Sequence, residues 1–392
     1  MTATILQDWA EFFLRWLHVI AAIFWVGLAL GFLRLNLALK STKADVWRAA
    51  DDGFFRIARD MNVPADAEPQ IGWFRWEAYI VWLSGFALMV AIYFVKADLY
   101  LIDPHGLALT PWQAIGLAIF MLAIGWLVYD FLAKAPMSET ARRIAISIFF
   151  VALSFALTRM FSGRGAFLTF GAIIGTIMAA NVAHYLVPNQ RRMLEAIRSG
   201  VAPDESRLAT SRQRALHNNY LALPVLFLML ANHYPLAFAS RFNWIIASLS
   251  IVVGAAIRHF YIARHRGSGD LWWTWALAAA AGAAMVALSI LGVEKPQARA
   301  AAPASAMDAI ASVVAPRLAD VEDIVADRCA VCHARTPSWP GLAAAPKGVM
   351  LETRAQIVSH ANDIAAQAAW TRAMPPPGAQ IPIGDDERRM LA

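Results

Sequence analysis

The only two cysteines of the chain, Cys329 and Cys332, lie three residues apart and are followed directly by His333. Residues three apart share one turn of a helix, so both thiols would face the same side. The Cys-x-x-Cys-His pattern is typical of covalent attachment of a c-type haem, in which each cysteine forms a thioether and the histidine binds the iron. We therefore predict that this segment carries one covalent haem c.

Two other uses of paired cysteines fit the sequence less well. A redox dithiol normally belongs to a thioredoxin-like βαβ unit, and no such pattern surrounds residues 327–336. A structural zinc site needs further ligands, and the chain has no second cysteine pair. Two unused thiols in an oxidising compartment would tend to pair or react.

The second axial ligand of the iron is predicted to be Met374, in the stretch "TRAMPPPGAQIP". The three prolines that follow it prevent helix formation and keep the loop stiff. Met350, just before a predicted helix over 352–372, is the alternative ligand. His360 lies in the middle of that helix and is predicted to be a surface residue. A His/Met ligand pair raises the haem potential, which suits an electron acceptor.

The rest of the chain is much less polar than an average soluble domain. It is 59% hydrophobic and 16% charged, against about 25% charged residues in soluble domains. Apolar runs that are long enough to cross a hydrocarbon core recur as far as residue 293. We predict an all-α protein: an eight-helix integral membrane bundle over 1–293, an Ala/Pro-rich linker over 294–315, and a small cytochrome c domain over 316–392.

The eight predicted spans differ in regularity, and the fourth and fifth are separated only by "SGRGA". The sixth is interrupted by Asn232, His233 and Pro235. The first lacks the basic flank and the cleavage site of a signal peptide and is expected to stay as a helix. The spans are 9–33, 76–97, 112–133, 144–161, 166–187, 220–239, 243–263 and 271–293.

Lysine and arginine are concentrated in the loops on one face of the predicted bundle, at 34–75, 134–143, 188–217 and directly after the seventh span. The positive-inside rule places these loops in the cytoplasm. Both termini and the cytochrome c domain are then expected on the periplasmic side of a bacterial inner membrane, where haem c is attached. The basic balance of the chain reflects loops beside anionic lipid and needs no nucleic acid.

The helix before the haem motif, "PRLADVEDIVADRC", has an apolar stripe at 318, 321, 324 and 325. The final helix, "DDERRMLA", is shorter than the C-terminal helix of a cytochrome c fold. Either the natural chain continues further, or this domain leans on the membrane part.

Ionisable side chains within predicted spans are functional candidates because they are costly to keep there. Arginine near a span end often extends to the interface, and a lone intramembrane histidine is often a packing residue, so each residue also has a structural interpretation. Those near the outer side are Arg15, His18, Arg159, Asn232 and His233. Those near the inner side are Glu77, Asn181, His184, His217, Asn218, Asn219, Arg258 and His259.

Two functional interpretations of these residues remain open. They could form a substrate pocket in which arginine binds an anion and histidine or glutamate moves protons. Alternatively, facing histidines could hold b-type haem, with His18 and His233 as the outer pair and His184 and His259 as the inner pair.

Several stretches resemble the membrane-bound, cytochrome c-containing urate oxidase (urate hydroxylase) family over nearly the whole chain. They are "RWLHVIAAIFWVGL" (15–28), "NVAHYLVPNQRRM" (181–193), "HNNYLALPVLFLMLANHYP" (217–235) and the C-terminal "CAVCHA" and "AMPPPG". The resemblance implies oxidation of urate to 5-hydroxyisourate with oxygen from water. It also implies that electrons pass to the fused haem and on to the respiratory chain, through a soluble cytochrome c or a terminal oxidase.

The resemblance brings no assigned catalytic residues, so these are predicted from chemistry. Arginine can bind the urate anion through two hydrogen bonds, and histidine is the best base near neutral pH. Electron transfer weakens with distance, which favours the outer group Arg15, His18, Asn232 and His233; the inner group is the alternative. An electron-transfer subunit without its own substrate, and a transporter fused to a redox sensor, are the competing functions.

Overall fold

The structure is a computed structural model that describes residues 2–42, 45–49, 53–58, 75–103, 106–292, 318–340, 342, 344–379 and 381–392. The predicted linker over 294–315 lies outside these ranges. The described part is predominantly helical, as the sequence predicts.

The helices up to residue 292 follow the apolar runs closely, with turns where polar residues or prolines intervene. They are α1 (Thr2–Thr42), α2 (Trp76–Leu88, continued by a π-helical turn at Met89–Phe94), α3 (Ala97–Tyr100), α4 (Pro111–Lys134), α5 (Glu139–Met160), α6 (Gly163–Asn181, continued by a π-helical turn at Val182–Leu186), α7 (Val187–Arg198), α8 (Glu205–Ala231), α9 (Pro235–Phe238), α10 (Asn243–His265) and α11 (Trp273–Leu291).

Within the described ranges, seven helical segments are long and apolar enough to cross a membrane, which supports a membrane protein. They are Trp9–Leu39, Trp76–Phe94, Pro111–Lys134, Glu139–Met160, Gly163–Arg198, Asn243–His265 and Trp273–Leu291. The sixth predicted span, 220–239, is not among them.

The structure corrects the sixth span. Its helix α8 begins in a polar segment at Glu205 and ends at Ala231, and Pro235 starts the separate short helix α9. Buried Asn218 and Asn219 make α8 more polar than its neighbours. It nevertheless packs inside the bundle, against α6 and α10.

A small antiparallel hairpin is an exception to the all-α prediction. Strands β1 (Val46–Ala49) and β2 (Phe54–Ile57) pair in the loop after α1, with Val46 opposite Ile57 and Ala49 opposite Phe54. Both segments are short and rich in β-branched and aromatic residues, which favour strands. Span-length hydropathy does not detect elements of this size.

Helix α6 forms the centre of the bundle. It packs against α2, α4, α5 and α8, and side chains around its whole circumference, such as Phe167, Phe170, Ile173 and Ile177, are fully buried. A helix that is apolar on all sides is expected to be enclosed by others. Ser162 separates it from α5: the Ser162 hydroxyl accepts from the Gly165 amide at 3.1 Å and so caps α6.

The C-terminal segment has a small core of its own. It contains α12 (Leu318–Arg328), α13 (Ala330–His333), α14 (Arg354–Ser359), α15 (Ala361–Ile364, continued by a π-helical turn at Ala365–Trp370) and α16 (Asp385–Met390). Ile324 and Val325 of the predicted stripe are buried, with Leu351, Ile357 and Leu391 around them. A capping box between Thr353 and Gln356 starts α14.

This segment also rests on the membrane bundle. Ala373 belongs to the bundle's buried apolar cluster. The short 3₁₀ turn Pro377–Ala379 lies against α3, so close that a Cβ atom on Gly378 would overlap the backbone carbonyl of Asp98. The C-terminal segment therefore contacts the membrane part directly, at Ala373 and at Pro377–Ala379.

Candidate functional site

The two cysteines lie on one helical turn, as their spacing predicts. The amides of Cys332 and His333 both donate to the Cys329 carbonyl, at 3.1 and 2.9 Å. Both thiols are free rather than joined in a disulfide. Burial, followed by the neighbouring Cys332, raises the pKa of Cys329 to about 11, and burial also raises the pKa of Cys332. Both side chains are therefore neutral thiols near pH 7.

The ring of His333 is held in one orientation. Its Nδ1 lies 2.9 Å from the carbonyl oxygen of Val349, which can only accept, so Nδ1 carries the hydrogen. The Leu351 amide donates to the His333 carbonyl at 2.7 Å and fixes the backbone. Burial lowers the pKa of His333, which keeps the imidazole neutral. A neutral ring with Nδ1 bound to a carbonyl leaves Nε2 for a metal ion.

These residues fit the predicted haem: two free thiols on one turn, followed by an oriented imidazole. Met374, the predicted sixth ligand, is partly buried, and its amide donates to the Gln367 carbonyl at 2.9 Å. Among the residues that the structure describes, no cluster of three or more His, Cys, Asp or Glu side chains could hold a bare metal ion.

The predicted catalytic residues of the outer group lie at different depths in the bundle. His18 lies 3.0 Å from the Val81 carbonyl and 3.1 Å from the Ser84 hydroxyl through Nδ1. Val81 and Ser84 lie in α2. Tyr93, in the π-helical turn that continues α2, donates a hydrogen bond of 3.4 Å to Asn232. Ser84 and Tyr93 are nine residues apart, or about 14 Å along a helix. His18 therefore lies well below Asn232.

Arg15 and His233 lie toward the outer level of this group. Arg15 is exposed and pairs with Glu11 at 3.3 Å. His233 is exposed in the turn after α8. The charges of Lys347, Arg15 and Arg164 lie close enough to act on His233. Arg15, Asn232 and His233 therefore lie at the same end of the bundle.

Sequence reasoning missed several residues at this end. Arg164 stacks over the rings of Tyr100 and Phe238, with its Cζ 5.6 and 5.3 Å from their centres. Lys347 and Cys332, from the C-terminal segment, are close enough to interact electrostatically with His233 and Tyr100 respectively. Arginine and tyrosine at span ends suggest interfacial anchoring from sequence, so only the fold identifies them as neighbours of the site.

A family model described as "Urate oxidase N-terminal" matches residues 4–289. The chain belongs to the urate oxidase N-terminal family. No curated protein and no solved structure matches the chain. The family match covers the helical bundle with both polar groups and ends before the Cys-x-x-Cys-His segment.

Within this urate oxidase N-terminal region, the inner group separates into smaller networks. Asn181 donates to Tyr129 at 3.1 Å and to Asn218 at 2.8 Å. The Tyr129 hydroxyl is then free to donate to Nδ1 of His217, 2.7 Å away. These bonds join α4, α6 and α8.

An ion pair continues this network toward the loops. Arg214 is fully buried and donates to Asp130 at 2.8 Å, while Tyr185 donates to the same carboxylate at 2.5 Å. Asp130 also pairs with exposed Lys134 at 2.7 Å. Arg214 is thus a buried structural residue, although its position in loop 188–217 suggested a cytoplasmic charge.

The other inner residues have separate neighbours. Arg258 donates to Asn219 at 3.0 Å. His259 shares a hydrogen bond of 2.8 Å with Tyr220 and lies beside Trp273, whereas the His184 ring lies against Trp126 on α4. Glu77 has one carboxylate oxygen that is buried without a partner among the described residues. The pairing of His184 with His259 around a b-type haem stays a prediction.

Proposed function

We propose that this protein is a membrane-bound urate oxidase that converts urate to 5-hydroxyisourate and passes the electrons to its own c-type haem. The observation that carries the proposal is the urate oxidase N-terminal match over residues 4–289, which contains every polar residue of the two candidate sites. The matched region is a bundle of membrane-length helices, so the reaction belongs at or within the bilayer.

The C-terminal segment is proposed to hold the haem through thioethers to Cys329 and Cys332, with His333 and Met374 as the side chains that would bind its iron. When bound, this group would supply a one-electron acceptor, and Cys329, Cys332, His333 and Met374 would hold it. Two observations support this assignment: both thiols are free and lie on one turn, and Nδ1 of His333 is occupied by its hydrogen bond to the Val349 carbonyl. The chain's own contribution is to orient the ligands and exclude water from His333.

The position of Met350 favours Met374 as the sixth ligand. Met350 lies between Val349 and Leu351, the two residues whose backbones bond to His333. It is therefore anchored beside the Nδ1 edge of the imidazole. Nε2, the ring nitrogen left for the iron, is not on this edge, so Met374, on another part of the chain, would suit the role of second ligand better.

We assign urate binding to the outer end of the bundle. The guanidinium of Arg15 would bind the urate anion, and the Asn232 amide would orient it by hydrogen bonds. His233 would accept a proton as water adds to urate, and His18 would serve as a deeper base. The reaction converts urate and one water to 5-hydroxyisourate, two protons and two electrons. The nearness of Lys347 and Cys332 to this end supports the choice over the inner group.

The proposed orientation places this end and the haem segment on the periplasmic side of a bacterial inner membrane. The basic loops at the opposite end support it. Because one haem would accept one electron at a time, the oxidation of each urate would require the haem to pass an electron to a further acceptor twice. We propose a soluble cytochrome c or a terminal oxidase as the next acceptor.

Addition of urate to oxidised, purified full-length protein without oxygen tests the function. We expect the visible haem spectrum to become reduced, with two haems reduced per urate consumed. Failure of urate to reduce the protein, together with rapid reduction by a quinol, would instead support an electron-transfer subunit without its own substrate. That alternative is favoured by one observation, because the haem segment lies outside the family match.

Cysteine and methionine variants test the haem assignment separately. Cys329→Ala or Cys332→Ala should impair covalent attachment, seen as a weaker haem-stained band on a denaturing gel. Met374→Leu should keep the band but lose the far-red absorption typical of methionine ligation, whereas Met350→Leu should keep both. A normal far-red band in Met374→Leu would remove Met374 from the ligand set.

A further inference from the structure

A cleft opens between α1 and α10 at the end of the bundle opposite the proposed urate site. Its volume is about 530 Å³. Part of its wall is apolar, with Leu30 and Leu37 from α1. Four basic side chains line the rest: Arg34, Arg258, Arg264 and His265. No carboxylate belongs to the described lining.

Arg258 lines this cleft and is held in place by a hydrogen bond. Its Nη2 donates to Asn219 at 3.0 Å, which holds the guanidinium in place. Its Nε is buried and has no hydrogen-bond partner in the described part of the chain. No ion pair joins Arg258 to a carboxylate of the described residues, so its positive charge remains available at the cleft wall.

The remaining basic residues leave most of the cleft's positive charge available. Arg34 is exposed and makes no ion pair with a described residue. Arg264 shares its charge with Asp270 at 3.4 Å, and Nδ1 of His265 bonds to the Tyr261 carbonyl at 2.5 Å. The site therefore combines positive charge with an apolar wall that follows the helix axis.

We propose that this cleft binds an anionic phospholipid, with the phosphate at Arg34 and Arg258 and an acyl chain along Leu30 and Leu37. Basic pockets between membrane helices suit such headgroups. A small soluble anion would use the basic side chains and leave the apolar wall exposed to water. The basic side chains of the cleft suit a charged headgroup and its apolar wall suits an acyl chain, which together favour a lipid.

The test measures lipid binding to full-length protein in nanodiscs, with phosphatidylglycerol compared with phosphatidylcholine by native mass spectrometry. We expect phosphatidylglycerol to be retained preferentially. Arg34→Gln and Arg258→Gln should each weaken its binding about fivefold, since one arginine near the membrane surface contributes roughly that factor. Arg212→Gln removes a charge that pairs with Glu205 at the exposed start of α8, and it should leave lipid binding unchanged.

Three outcomes would overturn the proposal. Equal retention of the two lipids would show that the cleft does not select negative charge. Unchanged binding in Arg34→Gln, which alters an exposed side chain and should fold normally, would place the lipid elsewhere. Displacement by inorganic phosphate or urate at equal concentration would identify a site for small anions. None of these readouts depends on urate oxidation, so the proposed function is tested independently.

Discussion

The imidazole of His18 is confined by the helix opposite it. Nδ1 bonds to the Val81 carbonyl, and the ring lies over Gly85, where a side chain would leave no room. At Gly85, a Cβ atom would lie 2.8 Å from Cε1 of His18. A ring that is held this firmly keeps one orientation, which proton transfer requires of a base.

Gly85→Ala is therefore expected to slow urate-driven haem reduction by displacing the His18 ring. A shift of about 1 Å at a catalytic group can cost roughly 10²-fold in rate. His18→Ala should have at least as large an effect, and neither change should alter the bound haem. Stopped-flow absorbance after mixing with urate measures the rate.

Gly116→Ala provides the matched control, because a Cβ at Gly116 has nothing within 4 Å. It should retain the wild-type rate. A normal rate in both Gly85→Ala and His18→Ala would remove His18 from the proposed mechanism.

At the scale of helices, the bundle is tied together by polar bonds as well as by apolar packing. The pair between Arg214 on α8 and Asp130 on α4 lies beside the hydrogen bonds of Asn181 on α6. A guanidinium with no exposed area needs its carboxylate, because an unpaired buried charge is strongly destabilising. These bonds fix the mutual position of three helices.

Asp130→Asn should lower stability by roughly 3 kcal/mol, because it leaves Arg214 buried without a counter-charge. The midpoint of thermal unfolding in detergent, followed by circular dichroism, would measure the loss. Asp270→Asn removes an exposed partner of Arg264 and should cost less than about 1 kcal/mol. Equal shifts in the two variants would contradict the importance of burial here.

The terminal helix α16 is attached to α12 by a titratable pair. Arg328 donates to Glu387 from Nε and Nη2, at 3.2 and 3.0 Å. Burial alone would raise the pKa of Glu387, but hydrogen bonds from the Gly384 amide and Arg328 outweigh it and lower the pKa below 4.5. The pair therefore contributes its full stability above about pH 4.5, and loses it as the pH falls through the folded-state pKa.

Glu387→Gln should remove this acid-dependent contribution, which is about 0.2–1 kcal/mol for a partly exposed pair. Hydrogen exchange of the amides in α12 and α16 can be compared between the two proteins at each pH. Wild-type protection should exceed that of the variant above pH 4.5, and the two should converge in more acidic solution. A constant difference at every pH would show that Glu387 contributes by packing alone.

At the scale of the whole molecule, the haem-motif segment rests on the membrane bundle. Ala373 is buried among bundle residues, and the backbone of Gly378 approaches that of Asp98 without space for a side chain. Lys347 reaches the neighbourhood of His233 from the same segment. The two parts of the chain therefore meet at the end where we propose that urate is oxidised.

Gly378→Ala should loosen this contact, because the new methyl group would overlap the Asp98 carbonyl. We expect slower reduction of the haem by urate, with an unchanged covalent haem band. Gly384→Ala is the matched control in the same segment, since the nearest atom to its Cβ would be a Glu387 oxygen at 3.9 Å. If Gly378→Ala reduces its haem at the wild-type rate, electron transfer does not depend on this contact.

The sequence was a good guide to features that depend on neighbouring residues. Hydropathy located α4 to within one residue at each end, because Thr110, Pro111 and the apolar run all act locally. The spacing of Cys329, Cys332 and His333 predicted one turn for the same reason. Met374, the haem and the catalytic assignments remain predictions.

Contacts between residues that are far apart in the chain could not be predicted from the sequence. Arg214 looked like a loop charge, and only the meeting of α4 and α8 reveals its buried partner. Tyr93 and Asn232 are 139 residues apart in sequence. The sixth span was predicted too far along the chain, because the apolar residues of α9 follow α8 after only three residues.

The apolar part of α1, Trp9–Leu39, comprises 31 residues, or about 46 Å of helix, whereas a bilayer interior measures about 30 Å. Little of it is covered by protein, with Trp9, Phe12, Phe24 and other large side chains exposed. A helix with this excess length can be accommodated by tilting, and packing against α2 together with its interfacial side chains sets that tilt. Because Arg15 and His18 lie on α1, we expect membranes of different thickness to change the depth of both residues in the proposed urate site.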